Sequence, residues 1–143
     1  MSRTTYASSK FSSLTDDQVR AILNPMDVYN KRAWHEAYAL SLVTTDESGP
    51  RLDDLGKAVV AHAQAIADDL SAVMAFTLRK ACGVSGWAWA PQKRTAMALA
   101  KRGLVKINPE PVVGTEMAAL PCGRLVLALH EKTREEIWAP RGA

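Results

Sequence analysis

Apolar residues in this chain recur mostly at spacings of three and four, the period of helices that pack on one face. Thr15 and Gln18 stand at capping-box spacing, with Asp16 and Asp17 at the end where a helix dipole favours acids, and Val19, Ile22 and Leu23 follow. A first helix therefore begins after Thr15. Asn24-Pro25 ends it and reads as the N-cap and first position of a second helix, from about Met26 to Leu42. Tyr29, Ala33, Trp34, Ala37, Tyr38, Ser41 and Leu42 form the stripe of that helix. The cluster 44–50 is a turn. A third helix starts near Leu52, with Leu55, Val59, His62, Ala63 and Ile66 on one face. Asp68 or Asp69 caps a fourth, running through Leu70, Val73, Thr77 and Leu78 to about Ala81; one bent helix and two separate ones fit the pattern equally. Residues 1–13 are rich in Ser and Thr, poor in aliphatics, and read as a flexible or loosely docked arm.

The segment Cys82-Gly-Val-Ser-Gly86 breaks the helical pattern. A fifth helix is expected from about Trp89 to Arg102, with Pro91 in its first turn, where a missing N–H costs nothing. Lys101 and Arg102 then place cations in the last turn and Gly103 stands just beyond, a helix stop. Leu104 to Ile107 alternates as a strand, and Asn108 to Gly123 is a loop rich in Pro, Gly and small residues. Arg124 to Leu129 reads as the returning strand of a hairpin, and His130 to Trp138 as a closing helix. The fold class is mainly α with a small β-hairpin.

Charge adds a direction to this outline. The 143 residues, 48% apolar and 23% charged, suit one globular domain with a net charge of +3. Residues 1–72 hold seven Lys/Arg against ten Asp/Glu, whereas residues 73–143 hold eleven against five. Between Asp69 and Glu110 there is no acid at all, but there are Arg79, Lys80, Lys93, Arg94, Lys101, Arg102 and Lys106. Ordinary surfaces intersperse both signs, so a one-sided field of this kind points to an anionic partner, most often nucleic acid. A solvated basic face without a partner is the plainer alternative.

Two stretches carry a family resemblance: Thr95-Ala-Met-Ala-Leu-Ala-Lys-Arg-Gly-Leu-Val105 and Gly123-Arg-Leu-Val-Leu-Ala-Leu129. Residues 52–138 resemble a winged helix-turn-helix, as in bacterial regulators of the multiple-antibiotic-resistance type. The resemblance implies a recognition helix that ends in Gly-Leu-Val, a wing hairpin, and residues 14–51 as a helical extension suited to dimerisation, with 139–143 as a tail. It also implies duplex DNA as partner. Thr95, Ala96 and Leu99 would then face the core, with Gln92 at the boundary. Lys93, Arg94, Met97 and Lys101 would face the groove, with Lys93 and Arg94 suited to guanine and Gln92 to adenine. Lys101, Arg102 and Lys106 suit phosphate, and Arg124 sits at the base of the wing.

Other chemistry is sparse. His35, His62 and His130 lie far apart, Cys82 and Cys122 lack metal-ligand spacing, and no nucleophile elbow, phosphate loop or zinc-protease motif occurs. No catalysis, cofactor or metal is expected. No apolar run has the length of a membrane span and the N-terminus lacks a signal-like core, so the expected compartment is the cytoplasm. Trp87 and Trp89 form either a stacking or partner surface or part of the core. Tyr29, Trp34 and Tyr38 form either a dimer face or internal packing. The expectation is a homodimeric transcriptional regulator of bacterial or phage type. The rival is a protein-interaction module, such as a phage-encoded inhibitor of a host protein, built on the same shape.

Overall fold

The computed structural model describes the backbone of residues 3–138 and the side chains of residues 6–133; the expected tail, 139–143, lies outside them. The fold is mainly helical with two small antiparallel sheets. The chain divides into two compact units, residues 1–63 and 64–143.

The first unit opens with α1 (Arg3–Ser12), where a flexible or loosely docked arm was expected. Its two apolar side chains, Ala7 and Phe11, are four apart on one helix face, and both are buried. The Phe11 ring meets His62 edge-on at 5.0 Å. Two well-spaced apolar residues thus dock a helix that composition alone marks as polar.

The capping box forms as its spacing predicts. Thr15 accepts from the Gln18 amide, the Gln18 side chain accepts from the Thr15 amide, and α2 (Asp16–Leu23) follows. The next helix begins later than Asn24-Pro25 suggests. Asn24 closes α2 through its own N–H to the Arg20 carbonyl, and Asn30 caps α3 (Lys31–Ala39) by accepting from the Ala33 amide. Tyr29 therefore leaves the helical stripe. Its amide donates to the Asp27 carboxylate in the turn before the cap. Trp34 is buried, and its indole N–H donates to the Pro25 carbonyl, pinning that turn to the helix.

α3 ends in a Schellman arrangement: the Ser41 N–H donates to the Tyr38 carbonyl and the Leu42 N–H to the Ala37 carbonyl. Ser41 sits at φ 62, a left-handed conformation that costs a residue with a Cβ. Ser41→Gly is expected to raise stability by about 0.5 kcal/mol, once glycine's greater freedom in the unfolded chain is subtracted. A thermal or urea midpoint that stays put or falls would contradict that strain.

The turn cluster is the tip of a hairpin, β1 (Val43–Asp46) with β2 (Gly49–Leu52), paired Asp46 to Gly49 at the turn. Arg51 donates to Asp46 at 2.6 Å across the strands, and this hydrogen bond holds the Asp46 carboxyl below its usual range. Both groups are exposed, so the pair adds little stability. α4 (Asp54–Asp68) comes next, separate from α5 (Ala72–Cys82), which Ser71 caps by accepting from the Met74 amide.

The second unit corrects three expectations. The fifth helix does not start at Trp89; Ala88–Ala90 forms β3, with both alanines buried and Trp89 exposed. The residue before Pro91 is driven towards extended backbone, so the helix α6 (Lys93–Lys101) starts after the proline. It stops as read: Gly103, at φ +74, donates to the Ala100 carbonyl and Leu104 to the Leu99 carbonyl. β4 (Val105–Ile107) then pairs with β5 (Thr115–Ala119), inside the stretch read as loop. Arg124–Leu129, read as the returning strand, belongs to the long helix α7 (Pro121–Trp138). Pro121 supplies the pre-set first helical position. The run Leu125-Val-Leu-Ala-Leu is buried on most of its sides, so it carries neither period distinctly. The sheet runs β3-β5-β4. Val105 and Met117 on its inner side are buried, as are Ala96 and Leu99 of α6 and Leu125 and Val126 of α7.

Candidate nucleic-acid interface

The face of α6 follows from its spacing. Thr95, Ala96 and Leu99 point inward and are buried, while Lys93, Arg94, Met97 and Lys101 are exposed, with Met97 at 48%. A large apolar side chain flanked by cations on a helix surface is a surface of mixed character, suited to groove edges as well as phosphates. Lys93, Arg94 and Lys101 make no ion pair among the described residues. Gln92 is the N-cap residue but makes no capping bond with its side chain. Its carboxamide oxygen instead accepts from the Thr95 hydroxyl at 3.1 Å, which fixes Gln92 at the helix start.

Two cations in the first turn of a helix oppose its dipole, a small but real cost. An approaching anion reverses the sign of that balance, because it meets the cations and the unpaired first-turn amides together.

The remaining expected contacts are distributed less simply. Arg102 turns back on its own helix, donating to the Ala98 carbonyl at 3.1 Å and lying 3.7 Å from the Asp69 carboxylate. Lys106 lies on β4 with its ammonium 5.4 Å from the centre of the Trp87 ring. Arg124 belongs to α7 and not to a strand, and it donates to the Cys82 carbonyl at 2.7 Å. It thereby closes the C-terminal end of α5. Arg79 pairs with Glu131 at 2.9 Å, and the Lys80 ammonium lies 5.4 Å from the centre of the Phe76 ring.

A feature only half seen in the sequence is the outer side of the three-stranded sheet. The register pairs Trp89 with Glu116 and Lys106 with Ala118, so these side chains share the face opposite Ala88, Ala90 and Met117. Trp87 and Trp89 are 42% and 57% exposed there. Glu116 accepts from the Val112 amide at 2.9 Å and so shapes the hairpin loop. The period-two spacing of Trp87 and Trp89 was the signal for this face, provided the segment was read as a strand.

Of the expected dimer face, Tyr29 is 92% exposed and Tyr38 is exposed, whereas Trp34 is buried and stacks on Tyr38 at 5.3 Å. The three do not form one outward stripe. Cys82 and Cys122 are unbridged, and burial pushes both thiols above their usual range, which keeps them protonated at neutral pH. Among the described residues no three His, Cys, Asp or Glu side chains converge as metal ligands, and no helix is long and apolar enough to cross a membrane. No family model, curated protein or solved structure matches the chain.

Proposed function

We propose that this protein binds duplex DNA with α6, aided by the β4–β5 hairpin, as a cytoplasmic transcriptional regulator whose second unit is a winged-helix variant. The observation that carries the reading is the exposed face of α6, where Lys93, Arg94 and Lys101 stand without ion pairs among the described residues in an acid-free stretch. Such a face adds no packing and costs a little at the helix start, and an anionic partner accounts for both. The sheet order supports the same reading. The hairpin follows directly from the helix stop, so helix and hairpin form one continuous surface element.

Two substitutions test the assignment of roles. Arg94→Ala is expected to relax sequence preference about tenfold at one base position, as loss of a bidentate base contact does. Lys106→Ala is expected to weaken all sequences alike, as loss of a phosphate contact does. Competition binding against a randomised duplex pool reads both, and identical behaviour of the two variants would sink the groove assignment.

The exposed Trp87 and Trp89 favour a second reading, a protein-interaction module. Large aromatics on a surface are the residues that anchor protein interfaces. That reading requires an interaction that Trp89→Ala abolishes and that salt hardly changes.

A further inference from the structure

The two units repeat one another over α3, β1–β2 and the start of α4 against α6, β4–β5 and the start of α7. Each helix opens with Lys-Arg: Lys31-Arg32 in the first and Lys93-Arg94 in the second. The next positions inward match in burial, Ala33, Trp34 and Ala37 against Thr95, Ala96 and Leu99. Both helices stop on a left-handed residue, Ser41 at φ 62 and Gly103 at φ 74. Leu42 and Leu104 then make equivalent bonds back to the Ala37 and Leu99 carbonyls, at 2.9 and 3.1 Å. Val43 and Val105 open the two hairpins.

The match resumes after the hairpins. The Leu42 carbonyl accepts from the Asp53 amide, and the Leu104 carbonyl accepts from the Leu120 amide, each at 3.0 Å. A helix glycine then lies against that same carbonyl, Gly56 on Leu42 and Gly123 on Leu104. The hairpins themselves differ in length, which hides the correspondence from a fixed-period search.

Shared architecture explains why the buried positions, the stop and the glycine recur. It does not explain the exposed pair. Lys31 and Arg32 are exposed, make no ion pair among the described residues, and sit at the helix end where the dipole opposes cations. A surface pair that repeats is thus one that carries the charge for an anionic partner.

We infer that the first unit carries a second DNA-contacting helix, α3, and that a single chain grips one duplex at two places. The inference rests on the reading of α6 as DNA-binding. Duplex DNA is the occupant because its backbone repeats the same phosphate chemistry at both places, so equivalent basic helices meet equivalent ligands. Two readers that a homodimer would obtain by pairing copies are here joined in one chain, where linkage raises the effective concentration of the second contact. The first unit is nearly neutral, with seven Lys/Arg against eight Asp/Glu in residues 1–63, and Ala39 stands where α6 has Lys101. Its contribution is therefore the smaller one.

The test measures anisotropy of a labelled duplex with the full chain and with the exposed double variants K31Q/R32Q and K93Q/R94Q. K31Q/R32Q is expected to weaken binding about tenfold and to flatten the log–log salt slope by about 2, given roughly 0.9 per phosphate contact. K93Q/R94Q weakens it more, and K31R/R32K restores the affinity. Lengthening the duplex from about 10 to about 25 base pairs, one to more than two helical turns, is expected to tighten binding by the unaltered chain but not by K31Q/R32Q. If K31Q/R32Q binds like the unaltered chain while K93Q/R94Q does not, α6 is the only reader; the inference falls and the proposed function stands. If the unaltered chain gains nothing from the longer duplex, the inference falls whether or not K31Q/R32Q folds. If the unaltered chain binds no duplex even at low salt, both readings fall.

Discussion

Gly123→Ala lowers the stability of the second unit by about 3 kcal/mol, although alanine is the better helix former by about 1 kcal/mol. The reason is the close approach of α7 to the chain leaving α6. A Cβ at position 123 would overlap the Leu104 carbonyl oxygen and also meet its carbon at 3.1 Å. Both are backbone atoms held by other bonds. Leu104 donates to Leu99 and accepts from Leu120, and the Cys122 thiol donates to the neighbouring Gly103 carbonyl. Nothing in that ring can swing aside as a flexible side chain would, so relief requires α7 to shift off a core that includes the fully buried Leu104, Leu125 and Val126. Gly86→Ala is the control, because no atom lies within 4 Å of its added Cβ. Urea unfolding of the two variants decides the matter. Stabilisation by Gly123→Ala, as helix propensity alone predicts, would show that the close approach is absent.

Affinity for duplex DNA falls about 150-fold between 50 and 200 mM salt if Lys93, Lys101, Lys106 and Arg102 each neutralise one phosphate while Arg94 is given to a base, at a slope of roughly 0.9 per contact. These cations differ in readiness. Lys93 and Lys101 are exposed and make no ion pair among the described residues, Lys106 must leave the Trp87 ring, and Arg102 must leave Asp69 and its own helix end. If the last two stay engaged, two contacts remain and the loss shrinks to about 12-fold. The slope therefore counts how many of the four reach the backbone. A Kd that hardly moves over this range would remove the electrostatic basis of the reading and favour the tryptophan face as the binding surface.

What could be read in advance was what short-range chemistry decides. The Thr15–Gln18 capping box, the stop at Gly103 and the division of α6 into buried and exposed sides each depend on residues within one or two turns. Errors arose where tertiary packing chose between local options. Leu125-Val-Leu-Ala-Leu is apolar throughout, so strand and buried helix look alike, and the deciding signal was Pro121 at a helix start. Trp89 stands at the expected start of the fifth helix, although the alternation of Trp87-Ala-Trp89 is that of a strand. Asn24-Pro25 had the form of a helix start, yet Asn30 won because its side chain reaches the Ala33 amide. Two exposed pairs on α3 and α6 were visible as letters; only the matching stops and carbonyl contacts make them equivalent.

The unequal hairpins bear on the order in which the chain acquires structure. β1 and β2 are joined across two residues, Glu47 and Ser48, with Asp46 already bonded to the Ser48 amide, whereas β4 and β5 close over seven residues. By the usual logarithmic scaling the longer closure costs about 1 kcal/mol more in chain entropy. β5 must also recruit β3 from before α6 in the sequence, so the second sheet is complete only after a contact more distant in sequence than its own hairpin. The first hairpin depends on neighbours alone and leaves the ribosome earlier. On loop-closure grounds the N-terminal unit is expected to form early, with the slow step in bringing β3 onto the β4–β5 hairpin.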